Sequence, residues 1–115
     1  MKHIFFVVLL ATLAAGVTGR NAATSNPETL PEVNAASLYG KQCASCHGKD
    51  GRAKTFKGKL KHARNLTDAE WQERVSDERI FNSITNGKEK MPAYGKKLSQ
   101  DQIEALVTYV RGLRK

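Results

Sequence analysis

The stretch that decides the fold is Cys43-Ala44-Ser45-Cys46-His47, which holds both cysteines of the chain and a histidine directly after the second one. A structural zinc site needs four ligands, and only His62 remains to join this trio. A thioredoxin-like pair would need a strand–helix–strand context, which the sequence lacks. A short disulfide is also possible, but it leaves His47 without a role. The spacing favours a site that uses all three residues together.

This C-x-x-C-H spacing is the attachment sequence for a c-type haem. Two thiols three positions apart on a helical turn can add across the two vinyl groups of one porphyrin, forming thioethers. The next residue is then carried beneath the iron as its proximal ligand. We therefore predict one haem c, covalently attached through Cys43 and Cys46, with His47 as a ligand of the iron.

The second axial ligand is predicted to be Met91, the only methionine besides the initiator. It lies between Gly87 and Gly95, and Pro92 stiffens the backbone directly after it, which suits a ligand held on a loop. A lone methionine more often fills a core, but lysines rather than apolar residues surround this one. His62 is the competing ligand, and its lysine-rich surroundings indicate an exposed histidine instead.

The first residues have the layout of a secretory signal peptide. A basic start is followed by an apolar run from Ile4 to Val17 and then by small residues. A membrane span needs about 20 apolar residues, so this run is short for one. We predict a signal peptide over residues 1–19, with cleavage after Gly19 preferred to cleavage after Gly16. An uncleaved membrane anchor is the alternative. Export places the chain in the periplasm, which haem attachment outside the cytoplasm requires.

Residues 20–34 are predicted to form a flexible polar lead-in, and residues 35–115 a domain of short helices without convincing strands. The last helix is the clearest, because its apolar residues recur at helical spacing. Capping boxes precede two of the helices. The predicted N-caps of the four helices are Asn34, Thr67, Ser76 and Ser99.

The composition narrows the class of protein further. The chain has 115 residues, with 19 lysines and arginines against 11 acidic residues and a net charge of +8. A multidomain enzyme, a polytopic membrane protein and a scaffold held by several disulfides are thereby excluded. Basic residues are concentrated between Lys49 and Arg64 and around Met91. We expect the protein to be a monomer, and we expect this positive collar to steer acidic redox partners to it. The alternative is a solvated surface that favours solubility. Nucleic acid is not an expected partner of an exported chain.

Residues 36–114 resemble a small class I c-type cytochrome, through the attachment sequence, the segment Lys90–Tyr94 and the closing helix. The resemblance implies an all-α fold of about four short helices around one haem, with His47 and Met91 on its two faces. The first and last helices would cross, so that the pair Leu38 and Tyr39 meets apolar residues of the last helix. Those partners are Leu106, Val107 and Val110.

One departure from the family pattern concerns His47. Many members place a proline shortly after the attachment histidine, and the carbonyl there orients the imidazole. This chain has no proline between His47 and Met91. The sequence therefore leaves the hydrogen-bond partner of His47 unassigned, and with it the tuning of the iron.

The resemblance implies a one-electron carrier that shuttles between periplasmic or membrane redox partners rather than an enzyme. Two alternatives stay open at this point: a haem-bearing subunit of a larger oxidoreductase complex, and a gas or redox sensor in which Met91 is displaceable. Trp71 is predicted either to donate to a haem propionate or to fill the core. The predicted crevice wall consists of Ile80, Phe81, Ile84, Leu98, Ile103, Leu106 and Val110.

Overall fold

The computed structural model describes residues 32–115. They form six helices: α1 (Ala35–Gln42), α2 (Ala44–His47), α3 (Phe56–Lys61), α4 (Ala69–Arg74), α5 (Asp77–Asn86) and α6 (Gln100–Arg111). This part of the chain has no strand, and a single antiparallel bridge joins Lys88 to Met91. The all-α prediction is confirmed for these residues. The predicted signal peptide and the lead-in up to residue 31 lie outside the described residues, and the domain boundaries stay predictions.

Three of the four predicted N-caps are confirmed. The side chain of Asn34 accepts a hydrogen bond from the backbone of Ser37 at 2.9 Å, and Ser76 caps α5 in the same way. Ser99 and Gln102 form a complete capping box at α6. Because each cap satisfies backbone N–H groups that the helix itself cannot pair, these residues fix where the helices begin.

The predicted cap at Thr67 is wrong by one residue. The N-cap of α4 is Asp68, whose carboxylate accepts from the backbone N–H of Trp71 at 3.0 Å. The Thr67 hydroxyl instead donates to the side chain of Asn65 at 2.8 Å. A carboxylate is also the stronger acceptor at the positive end of a helix, which explains why Asp68 takes the position.

Two short helices are additional to the four predicted ones, although α2 falls on the helical turn expected for the attachment sequence. Helix α2 follows α1 after a break at Cys43, whose backbone N–H still bonds to Tyr39. Helix α3 is capped by Thr55, which accepts from the backbone N–H of Gly58 at 2.9 Å. The central Gly58 and the lysines of α3 hide the usual pattern of an amphipathic helix, so apolar periodicity does not reveal it.

The core lies where α1 and α6 pack together, with α5 against α6. Its most deeply buried side chains are Tyr39, Ile103 and Leu106. The Tyr39 ring also packs on Tyr109, with ring centroids 4.8 Å apart. The predicted meeting of the first and last helices is confirmed, with Leu38 only partly buried at its edge.

Arg111, at the end of α6, ties α4 and α5 to the core. Its guanidinium lies 2.6 Å from the carboxylate of Asp77, 2.6 Å from the carbonyl of Gln72 and 2.6 Å from the carbonyl of Val75. The buried side chain of Gln72 also accepts from Arg111, at 3.0 Å. One side chain thus satisfies two of the open carbonyls at the C-terminal end of α4.

We predict that Arg111→Gln lowers the free energy of unfolding by about 2–3 kcal/mol, because it leaves several half-buried acceptors without their charged donor. The matched control is Arg114→Gln. Arg114 pairs with Glu73 at an exposed site, where an ion pair contributes about 0–1 kcal/mol. Urea denaturation of the two variants measures the difference, and equal losses would contradict the role given to Arg111.

Candidate functional site

A cavity of about 420 Å³ opens beside the core and is lined by residues from α1, α2, α4, α5, α6 and the Met91 loop. Cys43, His47 and Met91 all line it. A smaller cavity of about 170 Å³ adjoins it, sharing these three residues and adding Cys46. The structure therefore brings all four predicted site residues to one crevice.

The attachment sequence is helical. The backbone N–H groups of Cys46 and His47 both donate to the Cys43 carbonyl, at 3.2 and 2.9 Å. No disulfide joins Cys43 to Cys46. Burial, and secondarily the neighbouring Cys46, raises the pKa of the Cys43 thiol to about 11.

The zinc alternative finds no support among residues 32–115. In that region no group of three or more histidine, cysteine, aspartate or glutamate side chains is arranged to hold a metal ion. His62 reaches the smaller cavity only. It ends α3 in the left-handed conformation, at φ 53°, with an exposed side chain, as its sequence surroundings indicate.

The partner that the sequence left unassigned for His47 is the backbone carbonyl of Arg64. The Nδ1 atom of His47 lies 2.9 Å from this oxygen. Since a carbonyl can only accept, Nδ1 carries the proton and Nε2 keeps its lone pair. Burial lowers the pKa of His47, and the Arg64 carbonyl partly opposes that shift. The lowered pKa favours the neutral imidazole, which is the form that binds iron.

Two backbone hydrogen bonds hold the segment around Arg64. The N–H of Ala63 donates to the Gly58 carbonyl at 2.8 Å, and that of Leu66 donates to the Gly51 carbonyl at 2.7 Å. The Arg64 guanidinium lies 6.0 Å from the centre of the Trp71 ring. Any residue type has a carbonyl, so the residues themselves offered no signal for this partner of His47.

The Met91 loop is a tight turn. Lys88 and Met91 exchange both backbone hydrogen bonds, at 3.1 and 2.8 Å, and Glu89 between them has a φ of 52°. After the turn, the N–H of Tyr94 donates to the Ile84 carbonyl and its hydroxyl to the Gln42 carbonyl, each at 2.9 Å. The loop that carries Met91 is thus held against both α5 and α1.

Gly87 is required at the start of this loop. Its φ is +74°, and an added Cβ would lie 2.6 Å from the Met91 carbonyl. The position therefore excludes a side chain both by its backbone conformation and by the close approach of the Met91 backbone.

Apart from Cys43, His47 and Ser83, the larger cavity is lined by apolar and aromatic side chains and one set of positive groups. Among residues 32–115, no aspartate or glutamate lines it. Its basic residues are Arg64, Arg74, Arg79 and Lys88. A wall of this kind fits a flat apolar group that carries carboxylates, and haem has both properties. Together with two thiols, an imidazole and a thioether, the residues present fit a haem c.

The predicted crevice wall is confirmed in part. Ile80, Ile84, Leu106 and Val110 line the cavity, and Trp71 contributes from α4. Ile103, Phe81 and Leu98 belong to the core or pack against it without lining the cavity. Sequence reasoning missed Tyr39, Leu66, Val75 and the arginines as lining residues.

Comparison with known proteins assigns the family. Residues 32–110 match the family described as cytochrome c oxidase, cbb3-type, subunit III. A cytochrome c6 of Nostoc sp. is 36% identical over 97% of this chain and 94% of its own length. The chain belongs to the small class I c-type cytochromes. Among solved structures, the KustC0563 c-type cytochrome superposes with a TM-score of 0.66 at 41% identity, over 70% of this chain and 98% of its own length.

A second kind of relative is longer than this cytochrome. The cbb3-type cytochrome c oxidase subunit FixP of Azorhizobium caulinodans is 38% identical over 82% of this chain, but the match spans only 31% of FixP. Membership of the c-type cytochromes implies a haem c cofactor and a role in electron transport. The cytochrome c6 relatives indicate a carrier rather than an enzyme.

We predict that Gly87→Ala lowers the free energy of unfolding by at least about 2 kcal/mol, because alanine is strained at positive φ and its Cβ meets the Met91 carbonyl. Gly40→Ala is the matched control. Gly40 lies within α1 with nothing near the added methyl group, so alanine should stabilise the helix by about 0.5–1 kcal/mol. Thermal unfolding followed by circular dichroism tests both changes, and a neutral Gly87→Ala would contradict the steric argument.

Proposed function

We propose that this cytochrome is a monohaem electron carrier in which Cys43 and Cys46 attach the haem and His47 and Met91 are its axial ligands. The observation that carries the proposal is the meeting of His47 and Met91 at one apolar cavity beside both cysteines. Among residues 32–115, His62 is the other histidine at this crevice, and it reaches the smaller cavity only. When bound, the haem supplies reversible one-electron exchange between ferric and ferrous iron.

Different residues of the chain orient the two ligands and shield the haem from water. The Arg64 carbonyl fixes the tautomer and the orientation of the His47 ring. The turn around Glu89 and the hydrogen bonds of Tyr94 fix Met91. Apolar side chains from α5 and α6 exclude water, and a thioether ligand together with burial raises the reduction potential relative to two histidines.

The basic groups that line the cavity complete this assignment. Arg64, Arg74, Arg79 and Lys88 offer cations to the haem carboxylates. Trp71 lines the same wall, and donation from its indole N–H to a propionate stays a prediction. These groups would compensate the charge of carboxylates that would otherwise face an apolar wall.

We further propose that the cytochrome is an exported, periplasmic monomer that meets its redox partners transiently. The signal-like layout of residues 1–19 supports export. The FixP relatives keep the second possibility open, that of a haem-bearing subunit of a larger oxidoreductase complex, since a similar segment forms part of a longer chain there. Size-exclusion chromatography of a native extract distinguishes a free carrier from a subunit.

The ligand assignment predicts a specific visible spectrum. The reduced protein should show sharp c-type bands, and the ferric form should carry the weak sulfur-to-iron band near the red edge. We expect Met91→Ala to abolish that band and His62→Ala to leave it unchanged. Absence of the band from the ferric wild-type protein, together with a change of iron ligation in His62→Ala but not in Met91→Ala, would assign the ligand to His62 instead.

Binding of carbon monoxide separates a carrier from a sensor. With both axial positions occupied, the ferrous wild-type protein should not bind carbon monoxide at neutral pH, whereas Met91→Ala should. Binding by the wild-type protein would contradict the carrier and favour a sensor with a displaceable Met91.

The positive collar predicts a salt-dependent reaction with acidic partners. Seven basic residues and a single acidic residue, Asp50, lie in the segment from Lys49 to Arg64. Within the described residues, Arg52 forms an ion pair with Asp50, and the other six basic residues form none. We expect the rate of reduction by reduced flavodoxin, an acidic flavoprotein, to fall about tenfold between about 0.01 and 0.3 M ionic strength. An uncharged hydroquinone is the control, and equal salt profiles would contradict steering.

A further inference from the structure

Helix α3 is amphipathic, but its large apolar side chains face solvent instead of the core. Its inward residue is Gly58, which packs so closely on α2 that an added Cβ would overlap the carbonyl of Cys46. Its large apolar residues face outward instead, with Phe56 79% exposed and Leu60 58% exposed. A surface helix normally buries its apolar face. Among residues 32–115 these are the exposed large apolar side chains, so α3 is the exception in the fold.

The two apolar side chains form one patch within a basic surround. Phe56 and Leu60 are four residues apart and therefore lie on the same face of the helix. The residues around them in α3 are Lys57, Lys59 and Lys61, all of which are exposed. We name this surface, formed by Phe56, Leu60 and the three lysines, the α3 face.

The α3 face adjoins the opening of the haem crevice. The Thr55 hydroxyl, at the start of α3, lies 2.8 Å from the Ser45 carbonyl within the attachment sequence. At the other end, the Lys90 ammonium donates to the Leu60 carbonyl at 3.2 Å. Lys61 lines the smaller cavity together with Cys46. A molecule seated on the α3 face therefore lies beside the side of the crevice to which Cys46 belongs.

Charge decides which kind of molecule fits. A second copy of this chain would bring its own lysines against those of the α3 face, and like charges in contact are repelled. An acidic surface would be attracted. Exposed aromatic and aliphatic side chains, in turn, supply the central contacts of protein interfaces, with charged groups at the rim.

We propose that the α3 face is the docking site for an acidic redox protein whose negative surface surrounds an apolar patch. This proposal rests on the proposed function and names the partner of the same crevice. The lysines guide the encounter, and Phe56 and Leu60 hold the partner beside the crevice while one electron passes from its reduced centre to the ferric cytochrome. Two apolar side chains form a small contact, which suits a short-lived complex.

The test compares three variants of the haem-loaded protein, with reduced flavodoxin as the acidic probe. Phe56→Ser/Leu60→Ser removes the apolar patch, and Lys57→Gln/Lys59→Gln removes two charges from the α3 face. Lys41→Gln/Lys115→Gln is the matched charge control, since both lysines are exposed and neither lines the crevice. All six positions are exposed, so the variants should fold, and circular dichroism checks this.

We expect Phe56→Ser/Leu60→Ser to slow reduction at least about fivefold at both low and high ionic strength, because salt does not screen an apolar contact. Lys57→Gln/Lys59→Gln should slow the reaction at low salt only, and by more than the matched control. A Phe56→Ser/Leu60→Ser rate within about twofold of wild type would overturn the proposal.

Sedimentation with phosphatidylglycerol vesicles tests whether the α3 face binds an anionic lipid surface instead of an acidic protein. Binding that disappears in Phe56→Ser/Leu60→Ser, with unchanged rates toward flavodoxin, would make the α3 face a lipid-binding surface and overturn the proposal. Failure of the proposed function gives a distinct result, because the wild-type protein itself would then lack the c-type bands or the sulfur-to-iron band.

Discussion

The hydrogen bond from His47 to the Arg64 carbonyl is the contact on which the rest of the site depends. An imidazole bound at one nitrogen turns freely unless the other nitrogen is held. In this chain a backbone oxygen provides the acceptor, and its position follows from the path of the segment between α3 and α4. That path is fixed by the bonds of Ala63 and Leu66 to Gly58 and Gly51. Holding one ring therefore requires the order of a whole connecting segment.

Much of the fold could be predicted from the sequence, because strong local signals agree with the packing. The caps at Asn34, Ser76 and Ser99 and the apolar spacing of α6 each correspond to an observed element. The attachment sequence and the Met91 loop likewise come to one crevice. These features are encoded within a few neighbouring residues, and residue type alone reveals them.

The features that could not be predicted depend on atoms that every residue has or on partners far along the chain. The carbonyl of Arg64 has no side-chain signature. Helix α3 lacks an apolar inward face because a glycine must lie against α2, so its periodicity is reversed. The error at Thr67 has a local origin: its hydroxyl turns toward the side chain of Asn65, and Asp68 accepts from the backbone N–H of Trp71 in its place. Competition between nearby polar groups is decided by geometry rather than by residue type.

Gly58 affects both the orientation of His47 inside the crevice and the surface that α3 presents to solvent. Its backbone must approach the Cys46 carbonyl closely, and its own carbonyl receives the Ala63 N–H that leads on to Arg64. The same close approach leaves no space beneath α3 for a large side chain, so Phe56 and Leu60 can only face solvent. One small residue thus positions the carbonyl that holds His47 and turns the apolar side chains of α3 outward. The orientation of the ligand and the character of the outer surface are two consequences of a single packing constraint.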